Sequence, residues 1–176
     1  MRSLLKNAML FGVLATLFSA CSTQVITTTN NNLPDTVIQS DTVEDGNVST
    51  KISLFKLNNY TDTPRAGMRA ANIFSGLLNA KGYSVISHID AKSYSFDEAK
   101  KIARKDGSHF FLYGGVSEWR YKTGIDGEPA VSVQVSLYKT NDGSLVWSAT
   151  GSDSDWGNGS IGTTAQDLFE AILSTK

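Results

Sequence analysis

The chain has one cysteine, two histidines and no excess of basic residues, and each shortage removes a class of chemistry. With Cys21 alone and only His88 and His109, no zinc-like cluster of sulfur and nitrogen ligands can be assembled. Sixteen Lys and Arg stand against seventeen Asp and Glu, a formal charge of −1, and no Lys/Arg cluster exists that would release many phosphate counterions, so no nucleic acid is expected as a partner. Neither a G-x-S-x-G elbow nor a P-loop occurs. The carboxylates are scattered, and the two histidines read as structural because no orienting partner is visible beside either. The chain is therefore expected not to be an enzyme and to carry no cofactor, and a carboxylate pair meeting in a cleft would be the sign to the contrary.

What is present is ordinary globular composition: 40% hydrophobic and 19% charged over 176 residues, enough for one domain with a real core. The N-terminus, MRSLLKNAMLFGVLATLFSACS, sets Arg2 and Lys6 before an apolar run from Ala8 to Phe18. That is the pattern of a secretory signal, with an apolar stretch too short to span a bilayer. Leu17-Phe18-Ser19-Ala20-Cys21 resembles a bacterial lipobox. The resemblance implies diacylglyceryl transfer to the Cys21 thiol, cleavage before it and N-acylation, and Ser22 after the cysteine implies the periplasmic face of the outer membrane. Several acyl chains hold a protein on a membrane, since each buried methylene contributes about 0.8 kcal/mol. Loss of Arg2 and Lys6 with the signal leaves a mature formal charge of −3. The expected organisation is a signal peptide (1–20), a lipidated flexible tether rich in Thr, Asn, Asp and Ser with a possible short strand near Thr36 to Gln39 (21–50), and one domain (51–176).

Along that domain KISLFKL reads as a buried strand, and Thr63-Pro64 as the opening of a helix that Gly82 stops. A strand from Tyr83 to Ser87 follows, then a capping box at Ser95-Phe96-Asp97-Glu98 and a helix ending at Gly107. SHFFLYGGVSEWRYK reads as one long strand whose charged far end leaves the core, with Gly114-Gly115 permitting a bulge or a close backbone approach. AVSVQVSLY alternates with period two, directing Val131, Val133, Val135 and Leu137 one way, and Asn141-Asp142-Gly143 turns it back into LVWSATG. Ala165, Leu168, Phe169, Ile172 and Leu173 mark a last amphipathic helix. The expected fold is α/β (α+β): a mixed, largely antiparallel sheet of about five strands with three helices, in the order βαβαβββα.

Two stretches carry functional signal. In EWRYKTGIDGEP, Glu118 and Arg120 share one strand face while Trp119 and Tyr121 share the other. Trp, Tyr and Arg are the usual anchors of an interface, and a solvated edge hairpin is the competing reading. In GSDSDWGNGS, Trp156 stands without apolar neighbours in a surface loop, so its indole either folds back onto the domain or meets something outside it.

These residues also resemble a family. LYGGVSEWRYKTGIDGEPAVSVQVSLYKTNDGSLVWSATGSDSDW, with the earlier LNNYTDTPRAGMRAANIFSGLL, closely resembles the PelC family of outer-membrane lipoproteins, which serve an exopolysaccharide exporter. The resemblance implies a homo-oligomeric, dodecameric ring under the outer membrane. That ring would funnel a cationic polysaccharide by electrostatic attraction to a β-barrel channel during secretion of biofilm matrix. It implies that Trp156 contacts outer-membrane lipid, at the headgroup level where an indole is favoured. Trp119, Arg120, Tyr121, Asp126 and Glu128 fall on the motif and would build subunit contacts or the pore rim, and an ion pair within the hairpin is an equally open role for Arg120. The rival readings are a lipoprotein that activates a cell-wall synthase and a curli-type secretion accessory.

Overall fold

A computed structural model of the chain describes residues 24–27, 33–34, 37–39, 47–90, 92–122, 127–155 and 159–174. The strands are β1 (Gln24–Thr27), β2 (Val37–Gln39), β3 (Asn47–Ser49), β4 (Lys51–Phe55), β5 (Asn58–Asn59), β6 (Ser84–His88), β7 (Phe110–Tyr121), β8 (Pro129–Lys139) and β9 (Leu145–Ser154). The helices are α1 (Ala66–Ala80), α2 (Phe96–Lys105) and α3 (Ile161–Ser174). From β4 onward, leaving aside the two-residue β5, the order is βαβαβββα.

Seven strands form one mixed sheet in the order β1-β9-β8-β7-β4-β6, with β5 beside β7, while β2 and β3 pair separately. The parallel pairs β4–β6 and β4–β7 carry the crossover helices α1 and α2, and β7, β8 and β9 form an antiparallel meander. Within the span read as a tether, Gln24–Thr27 adds an antiparallel edge strand to β9, with Gln24 opposite Ser152.

Helices α1 and α3 cover one face of the sheet. Ala70, Ala71, Phe74 and Leu78 of α1 and Ala165, Leu168, Phe169 and Ile172 of α3 are fully buried there, above Ile52, Leu54, Leu112 and the four alternating residues of β8. Phe74 and Phe169 stack at 4.1 Å. On the opposite face α2 covers only one end, where Ala99 and Ala103 pack with Phe55 and Phe111 and with a rim of Phe96, Tyr94, Tyr113 and Tyr138. The rest of that face carries small and polar side chains.

The local signals mostly act as the sequence predicts. Ser95 accepts from the Glu98 N–H at 3.3 Å while the Glu98 carboxylate accepts from the Ser95 N–H at 2.9 Å, so the capping box is formed. Gly107, at φ 66°, turns the chain after α2 so that the Ser108 N–H reaches the Ala103 carbonyl. Helix α1 differs. It begins at Ala66, because the Thr63 hydroxyl is committed to the Trp119 carbonyl and Arg65 adopts the left-handed conformation at φ 62°.

Candidate functional site

The EWRYK segment is the far half of β7. Its register against β8 shifts between Val116 and Glu118, a bulge that leaves Ser117 unpaired in the ladder and its hydroxyl on that of Ser132 at 3.0 Å. The bulge re-aims the strand. Val116 and Trp119 both face the helices although three positions separate them, and Trp119 is only 2% exposed. The charged end does leave the core at Arg120 and Tyr121, which are exposed, but the reading of Trp119 as an interface anchor is corrected: a ring closed off inside one subunit has no area left to offer a partner. Among the described residues its Nε1 has no hydrogen-bond partner.

Arg120 and Glu118 do share a face, and Arg120 Nε lies 3.0 Å from Glu118 Oε1 with the arginine 60% exposed. This is the ion pair within one strand that competed with a subunit role, and it leaves most of the guanidinium available. Tyr121 is 52% exposed, and its hydroxyl accepts from the N–H of Ile161, the first residue of α3. Glu128 sits across from Lys122, with Nζ to Oε2 at 3.9 Å, and its carbonyl accepts from the Lys122 N–H at 2.6 Å. Asp126, Trp156 and Cys21 lie outside the described residues.

The described residues that flank these three in sequence meet at one end of the sheet. Tyr121 pairs with Pro129 and Ala130 with Ser154, and the Asp155 N–H reaches the Pro129 carbonyl, so the segment holding Asp126 and the one holding Trp156 both leave the sheet there. Because β1 runs antiparallel to β9 from Gln24 beside Ser152, Cys21 precedes the sheet at that same end. Three residues span at most about 10 Å. The Asp155 carboxylate is packed so closely on Gly159 that a Cβ there would overlap it.

The histidines each gain a partner that the sequence hid. His88 Nε2 donates to Asp106 Oδ2 at 2.7 Å, the Ser53 hydroxyl donates to that same oxygen at 2.6 Å, and Ser108 lies 2.8 Å from Ser53. Serine, aspartate and histidine thus meet, but with the carboxylate in the middle. The imidazole does not touch the Ser53 hydroxyl, so it cannot take the proton that a nucleophile must lose. This partly buried network ties β4 and β6 to the end of α2. His109 Nδ1 accepts from the Lys51 N–H at 3.0 Å, and burial, helped by the Lys51 charge, holds the imidazole below its ordinary pKa. Among the described residues no group of three or more His, Cys, Asp or Glu is placed to hold a metal ion.

The sequence reading also missed a cleft on the uncovered part of the sheet. Between the β5 loop and the β7–β8 strands lies a cavity of about 280 Å³, walled by Tyr60, Tyr113, Tyr138, Asn58 and Gln134. Tyr60 is 73% exposed, and a Cβ at Gly115 would lie 2.5 Å from its Cε2, so the phenol occupies space above a residue with no side chain. A second cavity of about 370 Å³, also lined by Tyr60, is bordered by Asp62, Glu118, Arg120 and Ser132; it does bring two carboxylates to one cleft, but Glu118 is engaged in the ion pair with Arg120. The only hint in the sequence was Gly114-Gly115 within a strand.

No family model and no curated protein matches the sequence. Solved structures do: the PelC dodecamer of Paraburkholderia phytofirmans is 32% identical, with 87% of this chain and 96% of that one covered and a TM-score of 0.70. The chain belongs to the PelC family. A methionine variant of the same Paraburkholderia protein superposes equally, with a TM-score of 0.69. Lipoprotein GNA1162 of Neisseria meningitidis shares the fold, at 21% identity over 70% of this chain and 95% of that one, with a TM-score of 0.54. The PelC-type fold thus extends over nearly all of the described domain.

Proposed function

We propose that this PelC-family chain is a non-enzymatic lipoprotein, anchored through Cys21 at the periplasmic face of the outer membrane. There it assembles into a ring that guides a cationic exopolysaccharide to a β-barrel exporter. The observation that carries the reading is the pairing of β1 with β9, which leaves Cys21 three residues, and Trp156 four, from the paired residues Gln24 and Ser152. A lipid anchor and an indole that enter from one end of a rigid sheet would hold that end against the bilayer. Assembly draws support from the dodecamer formed by the Paraburkholderia relative. A mature charge of −3 per subunit, repeated around a ring, is the source of the attracting field, and exposed carboxylates such as Asp62 contribute to it.

The test has two arms. The mature chain with Cys21→Ser is weighed by light scattering at low and high salt, and export of the polymer is measured in cells lacking the gene and supplied with wild type or Trp156→Ala. A large discrete assembly, restored export with wild type and impaired export with Trp156→Ala are expected. A strict monomer in solution and on lipid vesicles, or undiminished export without the gene, overturns the reading.

A further inference from the structure

The two cavities beside Tyr60 differ in charge, and the difference has a chemical meaning. The first contains no charged side chain. Its floor carries Gln134, opposite Thr150 in the β8–β9 register, and among the described residues neither side chain has a hydrogen-bond partner. The second is bordered by Asp62, whose carboxylate likewise has no partner among the described residues, and by the Glu118–Arg120 pair. Tyr60 and Ser117 border both.

The loop that carries Tyr60 is held in place. The Tyr60 N–H donates to the Val116 carbonyl at 2.9 Å, the Asn59 side chain accepts from the Thr61 N–H at 3.1 Å and donates to the Thr63 carbonyl at 2.9 Å, and the Thr63 hydroxyl is bonded to Trp119. The loop is thereby ordered before any ligand arrives, which lowers the cost of binding. An exposed aromatic face on an ordered loop, flanked by unpaired polar groups, suits a ligand with one apolar face and a polar edge. A pyranose has that shape: its axial C–H bonds can lie on the phenol while its hydroxyl and amide groups reach Gln134, Thr150 and Asn58.

We infer that the two cavities form adjoining subsites of a glycan-binding groove, the neutral one taking an uncharged sugar unit and the one beside Asp62 taking a cationic amino sugar. Tyr60 is the stacking platform between them. The inference rests on the proposed function for the class of polymer. It adds a place on each subunit where successive units are held weakly and released.

The probes are chitotetraose, which is neutral, and its fully deacetylated counterpart, titrated by calorimetry into the mature chain with Cys21→Ser, with the mass of each variant checked by light scattering. Tyr60→Ala is expected to weaken both probes by about tenfold, with the melting temperature and assembly mass unchanged, since the ring is exposed. Gly115→Ala, which displaces Tyr60 without removing it, is expected to weaken both in the same way. Asp62→Asn is expected to weaken only the deacetylated probe and to reduce its salt dependence. Wild-type affinity in Tyr60→Ala, or no binding of either probe to wild type, overturns the groove. An assembly that falls apart in Tyr60→Ala also overturns it, because the cleft then seats a second copy of the chain. Export in complemented cells separates the two readings. Full export with Tyr60→Ala removes the groove and leaves the exporter role standing, whereas export that does not need the gene removes that role.

Discussion

Two glycines of α1 should respond to the same substitution with opposite signs. A Cβ at Gly67 would fall on the Leu57 carbonyl oxygen and lie 2.9 Å from the carbonyl carbon, and backbone atoms cannot rotate away as a side chain can. At Gly76 a Cβ meets nothing within 4 Å. Replacing glycine by alanine within an exposed helix gains up to about 1 kcal/mol. Gly76→Ala should therefore raise stability by about that amount, near 2–4 °C in melting temperature for a chain of this size. Gly67 lies in the first turn, where the propensity gain is smaller, and the added carbon forces α1 off the connection between β4 and β5. Overpacking of this kind costs about 1–3 kcal/mol, and the rigidity of the opposing backbone favours the upper end. The helix cannot retreat without disturbing the stack of Phe74 on Phe169. Gly67→Ala should lose about 2 kcal/mol net. Urea denaturation at fixed protein concentration, with light scattering to hold assembly state constant, reads both variants. Gly67→Ala at least as stable as wild type would refute the close approach of α1 to Leu57.

Other expectations follow from the same contacts. His109 must be neutral to accept from Lys51, and its folded pKa is lowered below the ordinary 6.5, so its contribution is complete above about 6.5 and is lost as pH falls through the lowered folded value. Urea midpoints over that range should fall less steeply in His109→Gln; an unchanged slope would refute this. Glu98 is held at about 2 by the Ser95 N–H, then by Lys92 and the Ser95 hydroxyl, so its support of α2 should be complete above its ordinary 4.5 and be lost progressively as pH falls from there through about 2. A side-chain NMR titration giving an ordinary carboxylate value would contradict the capping box. Trp119→Ala should cost about 3–5 kcal/mol as a core truncation. Arg120→Ala removes an exposed ion pair worth at most about 1 kcal/mol after screening, so an assembly lost in that variant without a stability change identifies a subunit contact.

The elements that local signals define were legible in the sequence. The Ser95 capping box, the glycines after α1 and α2 and the alternation of Val131, Val133, Val135 and Leu137 each act over a few residues, and the structure uses them as such. What escaped was non-local. β1 and β5 are four and two residues long, and only a neighbour distant in sequence makes either a strand. Trp119 is buried because a bulge between Val116 and Glu118 shifts the facing of every later residue, and nothing in VSEW announces that Ser117 drops out of register. His88 and Asp106 are eighteen residues apart, and the fold alone brings them together. The Tyr60 cleft was hidden for the same reason, since its walls come from β5, β7 and β8. Asp126 and Trp156 lie outside the described residues, and the roles proposed for them depend on partners beyond a single chain.

The edge strand β1 changes what the mature N-terminus does in the proposed assembly. A tether of some thirty residues behaving as a flexible coil would let the domain tumble beneath the membrane at a root-mean-square distance of about 30 Å. With Gln24 paired to Ser152, the free length shrinks to the residues before it. Each anchored copy would then face the bilayer with the same end, and confinement to that plane raises the effective concentration of neighbouring copies without any new contact. The rotation left to each subunit is mainly about the membrane normal, which is the freedom a ring must remove when it closes. The bilayer would thus contribute to assembly through β1 as well as through the acyl chains, and the weak pairing of a four-residue strand becomes a determinant of oligomer geometry.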